Sequence, residues 1–294
     1  MSARVAFLGL GTMGAPMAGH LARAGNRVAL YNRSAAKAEA LARELGGRAA
    51  ASPAEAAEGC ESVFACVVAD ADVREVATGP RGAFGGMGRG ALFVDHTTAS
   101  PALARELDAA ARERGLAFLD APVSGGQQGA ERGTLTVMAG GEERDFERVR
   151  PVLAAYAKTA KRLGPAGSGQ LAKLVNQICI AGLVEALAEG LHFARAAGLD
   201  PRAVVEVISQ GAARSWQMEH RHETMLAGHY DHGFAVKWMR KDLALALDEA
   251  RRIGAQLPVT ALVDQLYAEV EALGGSRWDT SSLLARLEAL RAPR

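Results

Sequence analysis

Cysteine and aromatic residues are scarce: the 294-residue chain has three cysteines, and Phe, Trp and Tyr make up 5% of it. Cys60, Cys66 and Cys179 are scattered without a CxxC pair. That argues against a disulfide framework or a zinc ribbon and fits a reducing compartment. A surplus of one charge is also missing. Lys and Arg total 34 against 33 Asp and Glu, with no block of either sign, so the electrostatic footprint of a nucleic-acid binder is absent. The longest apolar run, 178–184, falls far short of a membrane span. The apolar segment 5–10 is too short for a signal-peptide core and is interrupted by glycine, so it reads as a strand. These absences predict a cytoplasmic chain whose partners are neither nucleic acid nor membrane.

What is present points to two domains, since the length exceeds one ordinary core. Hydrophobic residues at 49% and charged residues at 23% are normal for a globular protein. In the first half, short apolar strands (5–10, 27–31, 62–68, 92–95, 116–120, 134–139) alternate with helical segments (15–24, 35–45, 72–77, 101–114, 142–155). Such alternation implies a parallel sheet covered on both faces. The cluster Gly164-Pro165-Ala166-Gly167-Ser168-Gly169 marks a boundary. Beyond it only helices are expected, at 169–197, 201–210, 215–227, 235–253, 259–273 and 281–291, with Gly198 as a stop and Pro201 as a start. The predicted fold is α/β: an N-terminal Rossmann-type doubly wound sheet (1–165) followed by an all-α C-terminal domain (166–294). The helix 169–197 is apolar on several faces, so burial partly by a second copy is expected, as a homodimer or homotetramer.

Gly9-Leu10-Gly11-Thr12-Met13-Gly14 matches GxGxxG and stands between a strand and a helix, the context the motif requires. The first glycine permits a tight turn, the second lets backbone approach a pyrophosphate, and the third lets helix and strand pack closely. The helix N-terminus then offers N–H groups to phosphate. The second strand ends in Tyr31-Asn32-Arg33-Ser34. No acid stands there to hold a ribose 2′-hydroxyl, whereas Arg33 and Ser34 suit a 2′-phosphate and Asn32 removes the repelling acid. NADP(H) is therefore favoured, with NAD(H) still open. The competing reading makes Arg33 an ordinary solvated side chain.

Asp120-Ala121-Pro122-Val123-Ser124-Gly125-Gly126 could present the Ser124 hydroxyl and the N–H groups of Gly125 and Gly126 to a carboxylate. On spacing alone it is equally a tight turn. Lys173 shares a helix face with Gln170, Asn176 and Gln177. A polar stripe on a largely apolar helix suggests a cleft. A lysine drawn from water there has a lowered pKa and can exchange a proton with a substrate hydroxyl. Taken singly, a solvated first-turn lysine is the commoner case. His220, His222, His229 and His232 lack accompanying cysteines or an HExxH pattern, so no metal site is expected. Trp216 could wall a substrate pocket, although helix packing is the commoner role.

In combination and in this order, the motifs resemble the 3-hydroxyacid dehydrogenase family over essentially the whole chain. Asp95-His96-Thr97-Thr98 is similar to the family's Asp-x-Ser-Thr segment, which implies that Thr98 touches cofactor and substrate. Lys241-Asp242-Leu243, with Phe234 seven residues before Lys241, resembles the family's closing Lys-Asp pair. The resemblance implies Lys173 as the catalytic acid/base. It places Thr98, Ser124, Gly125, Gly126, Asn176, Gln177, Phe234 and Asp242 at the substrate and Lys241 at the cofactor. One departure is Asn176-Gln177, where many members carry Asn-Asn. The implied activity is NADP(H)-linked interconversion of a small 3-hydroxyacid and its semialdehyde. Imine reduction on the same scaffold and a non-catalytic NADP-binding protein are the alternatives.

Overall fold

The short apolar runs of the first half form parallel strands because both of their faces are covered by helices. The structure, a computed structural model, describes residues 2–289. Residues 1 and 290–294 of the expected domains, including the end of the expected helix 281–291, lie outside the described residues. Two compact units are found, Met1–Lys173 and Leu174–Arg294.

In the first unit the elements run β1 (Arg4–Leu8), α1 (Gly14–Arg23), β2 (Arg27–Tyr31), α2 (Ala35–Leu45), β3 (Arg48–Ala49), α3 (Pro53–Ala57), β4 (Ser62–Ala65), α4 (Asp70–Thr78), β5 (Leu92–Asp95), α5 (Pro101–Glu113) and β6 (Ala117–Asp120). They continue through β7 (Val123–Ser124), α6 (Gly126–Arg132), β8 (Leu135–Gly141), α7 (Glu143–Leu153) and β9 (Ala157–Gly164). The sheet order is β3-β2-β1-β4-β5-β6-β8-β7, with β9 also on β8. Strands β1 to β6 are parallel, and β8 runs antiparallel to β6 and β7. Alternate residues divide between two cores. Val5 and Phe7 pack with Met17 and Leu21, and Ala6 and Leu8 with Ala56 and Val73. The order reverses at β1/β4, the switch point where doubly wound sheets bind ligands beyond the strand C-termini.

The doubly wound sheet followed by helices is therefore observed. The small elements β3, α3, β7, α6 and the edge strand β9 were not anticipated in the sequence.

Helix α8 (Ser168–Ala196) begins in the first unit and continues into the second. There follow α9 (Pro201–Ile208), α10 (Trp216–Leu226), α11 (Val236–Ile253), α12 (Pro258–Ala272) and α13 (Leu283–Ala289). Gly198 adopts φ +76°, Asp200 caps α9 by accepting from the Arg202 N–H, and Pro201 occupies its first turn. The second unit's core gathers Val184, Met225, Leu243 and Tyr267. Among the described residues α8 alone is long and apolar enough to cross a membrane. A core helix meets the same test, and Ala181, Val184, Ala188 and Leu191 are buried in this core.

Candidate functional site

The glycine loop follows β1 directly. Leu10 N–H donates to Asn32 Oδ1 at 3.1 Å, and Gly9 N–H to the Tyr31 carbonyl at 2.9 Å, so the loop is tied to the end of β2. Gly9 has φ +92°, and a Cβ there would lie 2.3 Å from the Cys66 carbonyl. A Cβ on Gly14 would lie 1.9 Å from the Gly9 carbonyl. At Gly11, by contrast, a Cβ would meet nothing within 4 Å. Gly9 and Gly14 are thus required by the fold itself, while Gly11 faces open space at an exposed turn. Gly11, Thr12, Met13 and the start of α1 are the residues that could hold a pyrophosphate there. Arg33 and Ser34 are exposed, and Arg33 Nη1 pairs with Asp72 Oδ1 at 3.3 Å.

Beyond the ends of β5 and β6 a buried hydrogen-bond network joins the predicted substrate loop to the start of α8. Asp120, the last residue of β6, accepts from Gly167 N–H on Oδ1 and from Gln170 N–H on Oδ2, both at 2.8 Å. Its carboxylate therefore caps α8 while its own chain leads on to Ser124. Burial pushes the Asp120 carboxyl up, against the pull of those N–H donors. The Gln170 side chain reaches back to the segment that follows β5. Its Oε1 accepts the Ala99 N–H at 3.0 Å, and its Nε2 donates to the Thr97 carbonyl at 2.7 Å. Both peptide groups flanking Thr98 are thereby held by one amide. Thr97 Oγ1 also accepts the Val67 N–H at 3.0 Å, tying in the end of β4. Lys173 lies three residues past Gln170, on the same helix face, and is only 7% exposed. Gly125 and Gly126 are exposed with φ +126° and +60°, a backbone path that L side chains resist.

In the second unit, Gln177 Nε2 donates to Asp242 Oδ2 at 2.7 Å and Asn176 Nδ2 donates to Gln177 Oε1 at 2.8 Å. Lys241 Nζ lies 3.0 Å from Asp242 Oδ1. Four of the expected site residues therefore form one chain of contacts between α8 and α11. Phe234 belongs to another constellation, its N–H donating to Asp279 Oδ2 at 2.9 Å. Trp216 is half-exposed and stacks on His220 of its own helix at 4.4 Å.

Residues 4–164 match the family described as the NAD binding domain of 6-phosphogluconate dehydrogenase. Residues 167–287 match the one described as "NAD-binding of NADP-dependent 3-hydroxyisobutyrate dehydrogenase". The chain is 60% identical to an uncharacterized oxidoreductase of Shewanella frigidimarina, over 99% of this chain and 100% of that one. It is 37% identical to 2-hydroxy-3-oxopropionate reductase of Escherichia coli, over 98% of each. Its structure is similar to that of Mycobacterium tuberculosis 3-hydroxyisobutyrate dehydrogenase with L-serine, at TM-score 0.89 and 32% identity, over 99% of this chain and 100% of that one. The chain belongs to the 3-hydroxyacid dehydrogenase family. As a member it is an oxidoreductase that uses a nicotinamide cofactor.

Within this family the Asn176-Gln177 departure acquires a physical content. Gln177 is fully buried, and both ends of its amide are engaged, by Asn176 and Asp242.

Sequence reasoning also missed His96. Its Nδ1 donates to the Ala121 carbonyl at 2.6 Å, so Nε2 is the acceptor for the Tyr156 hydroxyl at 2.8 Å. The ring stacks on Phe64 with centroids 5.9 Å apart. Burial holds the imidazole neutral and lowers its pKa from 6.5 to about 4. An unfolded chain takes up a proton at this position below pH 6.5, whereas the native protein does not until about pH 4. Stability contributed here is complete above that window and lost as pH falls through it, by on the order of 3 kcal/mol. A His96→Gln variant should lose less stability than wild type between pH 7 and 4.5, read as the urea midpoint at each pH. Parallel losses in the two proteins would refute this.

Proposed function

We propose that this protein is an NADP(H)-dependent oxidoreductase that interconverts a small 3-hydroxyacid and its semialdehyde, with Lys173 as general acid/base. The observation carrying the proposal is the buried Lys173 on the helix face whose neighbour, Gln170, holds the backbone on both sides of Thr98. The names of the relatives support the substrate class. One is a 2-hydroxy-3-oxopropionate reductase, and another is solved with L-serine, itself a small 3-hydroxy carboxylic acid.

The nicotinamide, when bound, supplies or accepts the hydride. In the reducing direction the Ser124 hydroxyl and the N–H groups of Gly125 and Gly126 hold the substrate carboxylate. As the carbonyl carbon gains the hydride, Lys173 transfers a proton from Nζ to the developing alkoxide oxygen and its charge steadies that oxygen beforehand. In oxidation Lys173 takes the hydroxyl proton. The proposal includes substrate roles for Thr98, Asn176, Gln177, Phe234 and Asp242 and a cofactor role for Lys241. It also includes a homodimer or homotetramer, supported by Val175, Leu183 and Phe193 exposed on α8, the last at 71%.

The test is steady-state oxidation of NADPH and of NADH against glyoxylate and the semialdehydes of methylmalonate, tartronate and succinate. Turnover with a semialdehyde supports the proposal. Tight cofactor binding without turnover on any of them overturns it. In the same assay an Arg33→Ala variant should raise the KM for NADPH about tenfold, the loss expected for one charge-assisted contact, and leave the KM for NADH within about twofold. Equal changes for both cofactors would remove Arg33 from the 2′-phosphate.

A further inference from the structure

Arg33 is already engaged by a neighbour that the cofactor argument from sequence does not contain. Its guanidinium lies 3.3 Å from the Asp72 carboxylate. The two residues arrive from opposite sides of the nucleotide loop. Arg33 follows β2 and Asp72 lies in the first turn of α4, which follows β4, and β2 and β4 are the two neighbours of β1. The two charges flanking Asp72 on α4 are committed elsewhere. Asp70 accepts from the N–H and hydroxyl of Ser100 at 2.9 and 2.5 Å, and Arg74 pairs with Glu106 at 2.8 Å. The Arg33–Asp72 pair itself is open to water, at 81% and 28% side-chain exposure, so it contributes little to holding the fold.

We propose that Asp72 is a specificity-determining residue that weakens binding of the 2′-phosphorylated cofactor and so narrows its advantage over NAD(H). The inference rests on Arg33 as the 2′-phosphate contact. Two effects act together. A phosphate bound by Arg33 must displace or share a carboxylate that holds the same guanidinium. It also lies within a Debye length of that carboxylate, about 8 Å at physiological ionic strength, and the two anions repel. A ribose 2′-hydroxyl is neutral and meets neither penalty.

Binding of NADP+ and NAD+ should be measured by titration calorimetry for wild type, Asp72→Asn and Arg33→Ala. Asp72→Asn should tighten NADP+ about three- to tenfold at low salt and leave NAD+ within about twofold. Intact NAD+ binding also reports a folded nucleotide domain. If Arg33→Ala weakens NADP+ while Asp72→Asn changes neither cofactor, or tightens both equally, the inference about Asp72 fails alone. Weaker NADP+ binding by Asp72→Asn would also overturn it, since Asp72 would then be orienting Arg33 for the phosphate. If Arg33→Ala leaves NADP+ unaffected, the Arg33 reading falls and the Asp72 inference with it.

Discussion

Replacing Lys173 with alanine should lower kcat by about 10²–10⁴-fold while nicotinamide cofactor binding persists, because a positioned general acid/base supplies an effect of that size. Lys173 is 7% exposed, two turns or less from the capped start of α8, so its side chain is largely withdrawn from solvent. An alkoxide forming on the substrate needs both a proton and a positive charge nearby, and alanine supplies neither. Alanine is the best helix former, so α8 should remain intact in the variant. Lys173→Arg should stay low as well, since a guanidinium keeps its proton throughout the accessible pH range. Single-turnover rates at saturating cofactor measure the chemical step directly. A folded Lys173→Ala protein that binds cofactor and turns over normally would remove this residue from the chemistry.

What the sequence revealed and what it concealed divide by range. The glycine loop, the βα alternation and the Gly198–Pro201 break are local signals, and each stands where local chemistry puts it. The strand β9 was concealed because Lys158, Lys161 and Arg162 interrupt any apolar alternation. Those charges are what an edge strand carries to deter pairing with another chain. Helix α6 contains Gly126 and Gly129, poor helix formers, and is held through tertiary bonds such as His20 Nε2 to the Ala130 carbonyl at 3.0 Å.

The site divides in the same way. Lys173, Ser124 and Thr98 stand out in the sequence because each sits in a short ordered motif. The residues that hold them were not, because their partners lie far away in sequence: Gln170 is 73 residues from Thr97, Asp120 is 47 from Gly167, and His96 is 60 from Tyr156. No periodicity encodes such pairs. Gln170 was visible only as part of a polar stripe, and nothing in the stripe showed that its amide is spent on backbone.

That amide carries the second large effect. Gln170→Glu preserves length and shape, and its oxygen can still accept the Ala99 N–H. The other terminus changes from a donor to an anionic oxygen facing the Thr97 carbonyl, 2.7 Å away in the parent protein, at a fully buried position. A hydrogen bond becomes a repulsion, and the backbone around Thr98 must shift. Displacements near 1 Å at a reacting centre cost about 10²-fold, so kcat should fall by about 10- to 100-fold at pH 8. Burial raises the pKa of the new carboxyl, and once protonated its hydroxyl can donate to Thr97 again. Activity should therefore recover in part as pH falls towards 6. Gln170→Met, equally long but unable to donate at any pH, should show the loss without the recovery. Asp95, pushed up to about 7 by its own burial, titrates in the same range in the parent protein. The quantity to measure is thus the ratio of variant to wild-type kcat across pH 6 to 8. A ratio that rises on acidification for glutamate and stays flat for methionine makes Gln170 a positioning residue for the Thr98 turn. A flat ratio for both reduces it to ordinary packing.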